Sequence, residues 1–229
     1  MNIAIVIALI ALIGSLFSAA LTVFGAPIIQ QRSEAKKALE KYREPLLDAS
    51  YELQARLHNI LKCGFVERFV IDDDQGRRDS AINSTLYVFA QFFGWREIIR
   101  REIRYLQFPE DRKTRQIVTL LREIGDTFLS DAKSYGPQFM IWRVEQRAIG
   151  ERMIESGDGG MTCMGYASFV ERCPEMEKWL GLIKNDLQAI NDGGCNRWTK
   201  LQHLLLQLVR ELDEQKKRYP EPPYHLERA

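Results

Sequence analysis

The chain has 229 residues, with 32 basic and 31 acidic side chains and a net charge of +1. That balance argues against a general nucleic-acid binder, which is normally plainly basic, so no nucleic-acid partner is expected. With roughly 30 residues assigned to an apolar leading segment, about 200 remain, enough for one domain or two.

The leading segment, Ile3 to Ile29, contains no charged side chain, and the first one in the chain is Arg32. A helix of about 20 apolar residues crosses the roughly 30 Å hydrocarbon core of a bilayer, and this run shows no polar stripe of the kind a core helix carries. A cleaved signal peptide has a basic leader and an apolar core of about 7–15 residues. Here no Lys or Arg precedes a longer run, although Ser18-Ala19-Ala20 offers a small-residue cleavage site. The expected reading is a single transmembrane anchor over 1–29. Arg32, Lys36, Lys37, Lys41 and Arg43 follow it. Basic flanks stay in the cytoplasm, so the amino terminus is expected outside and the remainder inside, anchored in the cell membrane. The same cluster can rest on anionic headgroups, tempered by Glu34, Glu40 and Glu44. Gly14, Ser18 and Thr22 recur every four residues, as do Ala11, Ser15 and Ala19. Small residues at that spacing let two membrane helices approach closely, so self-association is expected along that face.

Gly25-Ala26-Pro27 punctuates the span, and residues 30–45 read as a polar juxtamembrane helical linker that Pro45 should kink or restart. A cytoplasmic helical domain is expected over 46–218. Its first helix places Leu46, Leu53, Leu57, Ile60 and Leu61 at helical spacing, with Gly64 as a stop. Phe65 to Ile71 reads as a short strand or a helical turn. The acidic run Asp72-Asp73-Asp74 before Gly76 has the glycine one place early for a calcium loop and lacks the closing Glu, so it reads as a turn. Ser84 is placed as the N-cap of a helix from Thr85 to about Phe108, with Leu86, Phe89, Phe93, Ile99, Ile103 and Leu106 inward. After Pro109 a helix over 112–133 presents Ile117, Leu120, Leu121, Ile124 and Phe128 on one face.

Gly136-Pro137 separates that helix from one over about 138–155. Ser156 to Gly160 reads as a flexible glycine-rich loop, and a short helix is expected at 165–172. Pro174 opens a helix with Met176, Trp179, Leu180, Ile183, Leu187 and Ile190 inward. The last helix, about 196–218, places Trp198, Leu201, Leu205, Leu208 and Leu212 like a short coiled-coil seam. The Pro-rich residues 219–229 form an extended tail. The expected fold is therefore all-α: one amino-terminal transmembrane helix followed by a bundle of six or seven helices.

Three sets of residues bear on chemistry. The helix over 138–155 aligns Phe139, Trp142, Ile149 and Met153, with Gln146 between them and Arg143, Glu145, Arg147 and Glu151 alongside. A buried amide without partners costs about 1–3 kcal/mol, so Gln146 marks either a polar network pinning a loop or a site for a small anionic ligand built from Arg143, Glu145, Gln146, Arg147 and Glu151. Arg96, Arg100 and Arg104 lie four apart, a stripe suited to phosphate or lipid headgroups or simply a charge-laced exposed face. Cys163, beside Met164-Gly165, needs a nearby base to act as a nucleophile, and a structural buried thiol is the expected role.

The four cysteines lack C-x-x-C spacing and the histidines lack H-x-x-x-H spacing, so no metal is expected. There is no P-loop, G-x-S-x-G, kinase set or dinucleotide fingerprint, so no cofactor is expected and a non-enzyme is favoured. The function expected is a membrane-anchored interaction, scaffold or sensor protein that binds a protein partner or itself. The alternative is a membrane-bound enzyme or anion-binding domain with its site around Arg143 to Glu151.

Overall fold

The computed structural model describes Ile3, Leu12, Gly14, Ser15 and residues 26–71, 74–103, 112–157, 160–190, 196–213, 215, 218 and 219. The expected span therefore lies mostly outside the described residues, Ser18 and Thr22 included, as does Arg104. Its four described positions before residue 26 are helical and exposed. Among the described residues no helix is long and apolar enough to cross a membrane.

Seven α-helices and one hairpin make up the described chain: α1 (Ala26–Lys62), α2 (Gln75–Ile103), α3 (Arg112–Leu129), α4 (Arg143–Met153), β1 (Ile154–Gly157), β2 (Gly160–Cys163), α5 (Tyr166–Arg172), α6 (Glu177–Ala189) and α7 (Asn196–Leu212). A π-helical turn (Val66–Val70) follows α1, and a 3-10 turn (Cys173–Met176) joins α5 to α6. The helical bundle expected from periodicity is present. Three local expectations need correction. Of the kink or restart expected at Pro45, the restart does not occur: Pro45 lies inside the unbroken α1, and Leu39 and Tyr42, ahead of it, are already buried with Leu46, Leu53 and Leu57, so packing on both sides offsets the missing backbone donor. Ser84 is not an N-cap: α2 begins at Gln75, and the Ser84 hydroxyl donates to the Ala81 carbonyl oxygen within it (3.1 Å). The supposed flexible loop is largely strand, with β1 antiparallel to β2 and Ile154 opposite Cys163, Ser156 opposite Met161.

Helix α2 is the central element. It packs against α1 along one side and α4 along another, and also meets the hairpin, α5 and α6. Phe89, Phe92, Phe93, Ile98 and Ile99 are all buried, so apolar residues encircle it. Glycines at two positions permit close approaches around α2. A Cβ on Gly94 would lie 2.2 Å from Cys163 Sγ, and one on Gly150 would lie 2.5 Å from the Phe93 carbonyl oxygen. The α2–α4 crossing therefore rests on Gly150, and Gly150→Ala is expected to cost about 1–3 kcal/mol through overpacking. A lowered urea midpoint checks this, and an unchanged midpoint would mean that the helices separate freely.

The seam on α7 is buried as a set: Trp198, Leu201, Leu205, Leu208 and Leu212. Its partners are α1 and α3 of the same domain, so this stripe is core. Beyond Leu212 the chain folds back on α1 where a longer helix was expected. Arg218 donates to Glu44 (2.5 Å) and Asp48 (2.8 Å), and the Tyr219 ring stacks on Tyr51 at 3.8 Å.

The segment between α3 and α4 is irregular, so helix α4 starts five residues later than expected. Phe139 has φ +56°, a left-handed conformation that is costly for a residue with a Cβ. Its N–H donates to Asp186 Oδ2 (2.7 Å), and its ring packs on Trp198 at 3.9 Å. Trp142, expected inward, is 55% exposed. Buried Arg197 organises this segment from α7, donating to the carbonyl oxygens of Thr127, Phe128, Ser130, Gly136 and Gln138.

Candidate functional site

Where α2, α3 and α4 converge, they leave a cleft of about 300 Å³. Its apolar walls are Phe93, Ile99, Val118 and Leu121, and its polar lining is Arg96, Glu97, Arg100, Arg122, Arg143, Gln146 and Arg147. Two groups of residues that lie far apart in sequence thus share one space: Arg96 and Arg100 from α2, and Arg143, Gln146 and Arg147 from α4.

Gln146 is buried beside Ile149 and Met153. Its Nε2 donates to the carbonyl oxygens of Gly125 (3.0 Å) and Ile141 (2.8 Å), which pins the start of α4 to α3. Its Oε1 accepts from Arg96 Nη1 at 2.5 Å. The amide is therefore both a loop-pinning network and the orienting partner of an arginine. The guanidinium of Arg96 lies against Gly125, where a Cβ would come within 2.0 Å of Nη2. Any side chain at position 125 would displace it.

Arg96 is the unusual group. Among the described residues it has no ion-pair partner, and its one hydrogen-bond acceptor is the neutral Gln146. Burial, reinforced by the like charges of Arg143 and Arg147, pushes its pKa down from 12.5 to about 10, with Asp126 and Glu97 opposing. A change of that size disfavours the cation by about 3 kcal/mol, an amount that a bound anion would offset.

The other arginines differ in what they are committed to. Arg100 clasps buried Glu97 through Nε and Nη2, both at 2.6 Å, and Arg101 Nε adds a third bond at 2.9 Å. Arg143 pairs with Asp126. Arg122 and Arg147 are exposed on opposite sides of the cleft, one on α3 and one on α4, and neither has an ion-pair partner among the described residues. Glu151 lies one helical turn from Arg147 but pairs with Arg101 at 3.5 Å. Glu145 is not part of the lining: its carboxylate accepts the Trp142 N–H (2.9 Å) and caps α4. Arg122 and Val118 were not singled out from the sequence, Glu97 was expected only as a pairing partner of Arg101, which it is, and Phe93, Ile99 and Leu121 were expected only as inward-facing core. Arg122 has the appearance of any solvated helix charge until α3 is placed.

Glu97 is 3% exposed. Burial pushes its pKa up, but the hydrogen bonds and charges of Arg100 and Arg101 outweigh that and hold it below the ordinary 4.5. A depressed carboxyl stabilises the fold above its unfolded pKa, and that contribution is lost as pH falls through the folded value. Stability curves of wild type and Glu97→Gln are therefore expected to differ most at pH 7 and to converge as pH falls below 4.5 through the folded value of Glu97. Parallel curves across that range would remove Glu97 from the balance.

The chemistry on offer is recognition. Guanidinium groups match carboxylate or phosphate oxygens in geometry, and the apolar walls suit the body of an organic ligand. Among the described lining residues the one carboxylate, Glu97, is held ionised with its oxygens occupied. Cys163 lies apart from the cleft, donates to the Gln91 carbonyl oxygen, and is pushed by burial to about 12, too high for a thiolate at neutral pH. The sequence matches no protein-family model, no curated protein and no solved structure.

Proposed function

We propose that the chain is a single-span membrane protein whose helical domain works at the cytoplasmic face as a ligand-responsive sensor, with a small organic anion received in the α2–α3–α4 cleft. The observation that carries this reading is Arg96: a largely buried cation without an ion-pair partner among the described residues, opening on a cleft that has arginines to either side. An anion there would draw Arg122 on α3 and Arg147 on α4 toward a common centre, a route from occupancy to helix position and so to a protein partner or a second copy. Binding without turnover is favoured because the described residues lining the cleft present no nucleophile and no available base. The anchor is supported by the uncharged run from Ile3 to Ile29 and by the exposure of Ile3 (76%) and Leu12 (58%).

Two measurements test this. Thermal unfolding of the detergent-solubilised full chain, run with short-chain carboxylates, sulfates and phosphates, should give a raised Tm for at least one of them in wild type but not in Arg96→Met. A panel without any stabiliser would end the sensing reading. Recovery of the full chain in the supernatant after alkaline extraction of membranes would end the anchor reading.

A further inference from the structure

We infer that the cleft takes a phosphate monoester bearing an apolar substituent, an inference that rests on the anion-binding reading above and names its ligand class. Charge matching comes first. Of the five arginines lining the cleft, Arg100 is committed to Glu97 and Arg143 to Asp126, which leaves Arg96, Arg122 and Arg147 without ion-pair partners among the described residues. A carboxylate or a phosphate diester brings one negative charge to these three cations. A phosphate monoester brings about 1.5–2 negative charges at pH 7, together with three acceptor oxygens that several guanidinium groups can share.

Position comes second. Arg96 is fixed from two sides, by Gln146 Oε1 at Nη1 and by the backbone at Gly125 beneath Nη2, so its guanidinium is held in place before a ligand arrives. Arg122 and Arg147 are exposed and adjustable, suited to closing on the remaining phosphate oxygens. The walls come third. Phe93, Ile99, Val118 and Leu121 offer nothing to bare inorganic phosphate, whereas each methylene of an ester substituent buried against them strengthens binding. The same chemistry occurs in soluble phosphomonoesters and in lipids with a terminal phosphate.

Isothermal titration of the full chain in phosphatidylcholine nanodiscs tests the class, with hexyl phosphate, hexanoate and inorganic phosphate as probes. Hexyl phosphate is expected to bind at least about tenfold more tightly than hexanoate and at least about tenfold more tightly than inorganic phosphate. Arg122→Gln combined with Arg147→Gln should narrow the preference over hexanoate to about twofold, and because both side chains are exposed the fold should survive. Arg96→Met should abolish binding of both organic probes. Nanodiscs that contain phosphatidic acid identify the source: competition with hexyl phosphate points to a lipid headgroup and its absence to a soluble ester, and either supports the class. Equal affinity for hexanoate and hexyl phosphate would overturn the monoester class while leaving an anion site in place. Hexyl phosphate binding unchanged in Arg96→Met, or no binding of any probe, would overturn the cleft itself.

Discussion

Replacing Arg197 with methionine is expected to cost at least about 4 kcal/mol, a large fraction of the about 5–15 kcal/mol typical of a folded domain. The side chain is fully buried and donates to five backbone carbonyls. Two of these, on Thr127 and Phe128, belong to the last turn of α3, where carbonyl oxygens have no partner further along the helix. A cation at that end also complements the helix dipole. The others, on Ser130, Gly136 and Gln138, lie in a segment without regular structure. Methionine fills similar volume but leaves these acceptors without this donor, each at about 1–3 kcal/mol where buried. Lysine should rescue little, because one ammonium group cannot replace a planar fork spread over five acceptors. Urea titration followed by the fluorescence of neighbouring Trp198 reads the effect. A midpoint for Arg197→Met close to that of wild type would show that the segment holds itself.

Gln146→Leu is the second large effect, at about 3 kcal/mol, and its size is expected to depend on Arg96. The substitution removes three hydrogen bonds at once and leaves the Arg96 cation without its acceptor. Arg96→Met alone removes a desolvated cation that has no ion-pair partner among the described residues, and replacing such a charge with an apolar side chain of similar size is neutral or stabilising by about 1–3 kcal/mol. Combining the two should recover part of the loss, because the leucine then faces an apolar neighbour. The double-mutant cycle is expected to show a coupling of at least about 1 kcal/mol. Strict additivity would mean that the 2.5 Å contact between the two side chains contributes nothing.

Much of the helical layout is legible in the chain because helix periodicity is local. The apolar spacings of Ile117 to Phe128 and of Trp198 to Leu212 are recovered as buried faces. Errors arose where a residue type has two uses. Ser84 suits a cap, yet its hydroxyl is equally satisfied by a carbonyl one turn back. The hairpin strands have four residues each, too short for alternation to register, although Asp158-Gly159 between them is a dipeptide typical of tight hairpin turns. Trp142 fits the helical stripe but lies where the chain has not yet become helix.

The uncharged leading run, the helical class and the inward faces of the helices, including the position of Gln146 among apolar neighbours, can be read directly from the chain. These are properties of spacing and side-chain type within a few turns of chain. That Arg96 meets Gln146 across fifty residues, that Arg122 faces the same space, that Glu145 is a cap and that Arg197 anchors a distant segment emerges from the packing alone. The physical reason is that a charge has no role until its counter-charges and its solvent are known. Both depend on how α2, α3 and α4 pack, which no local pattern records.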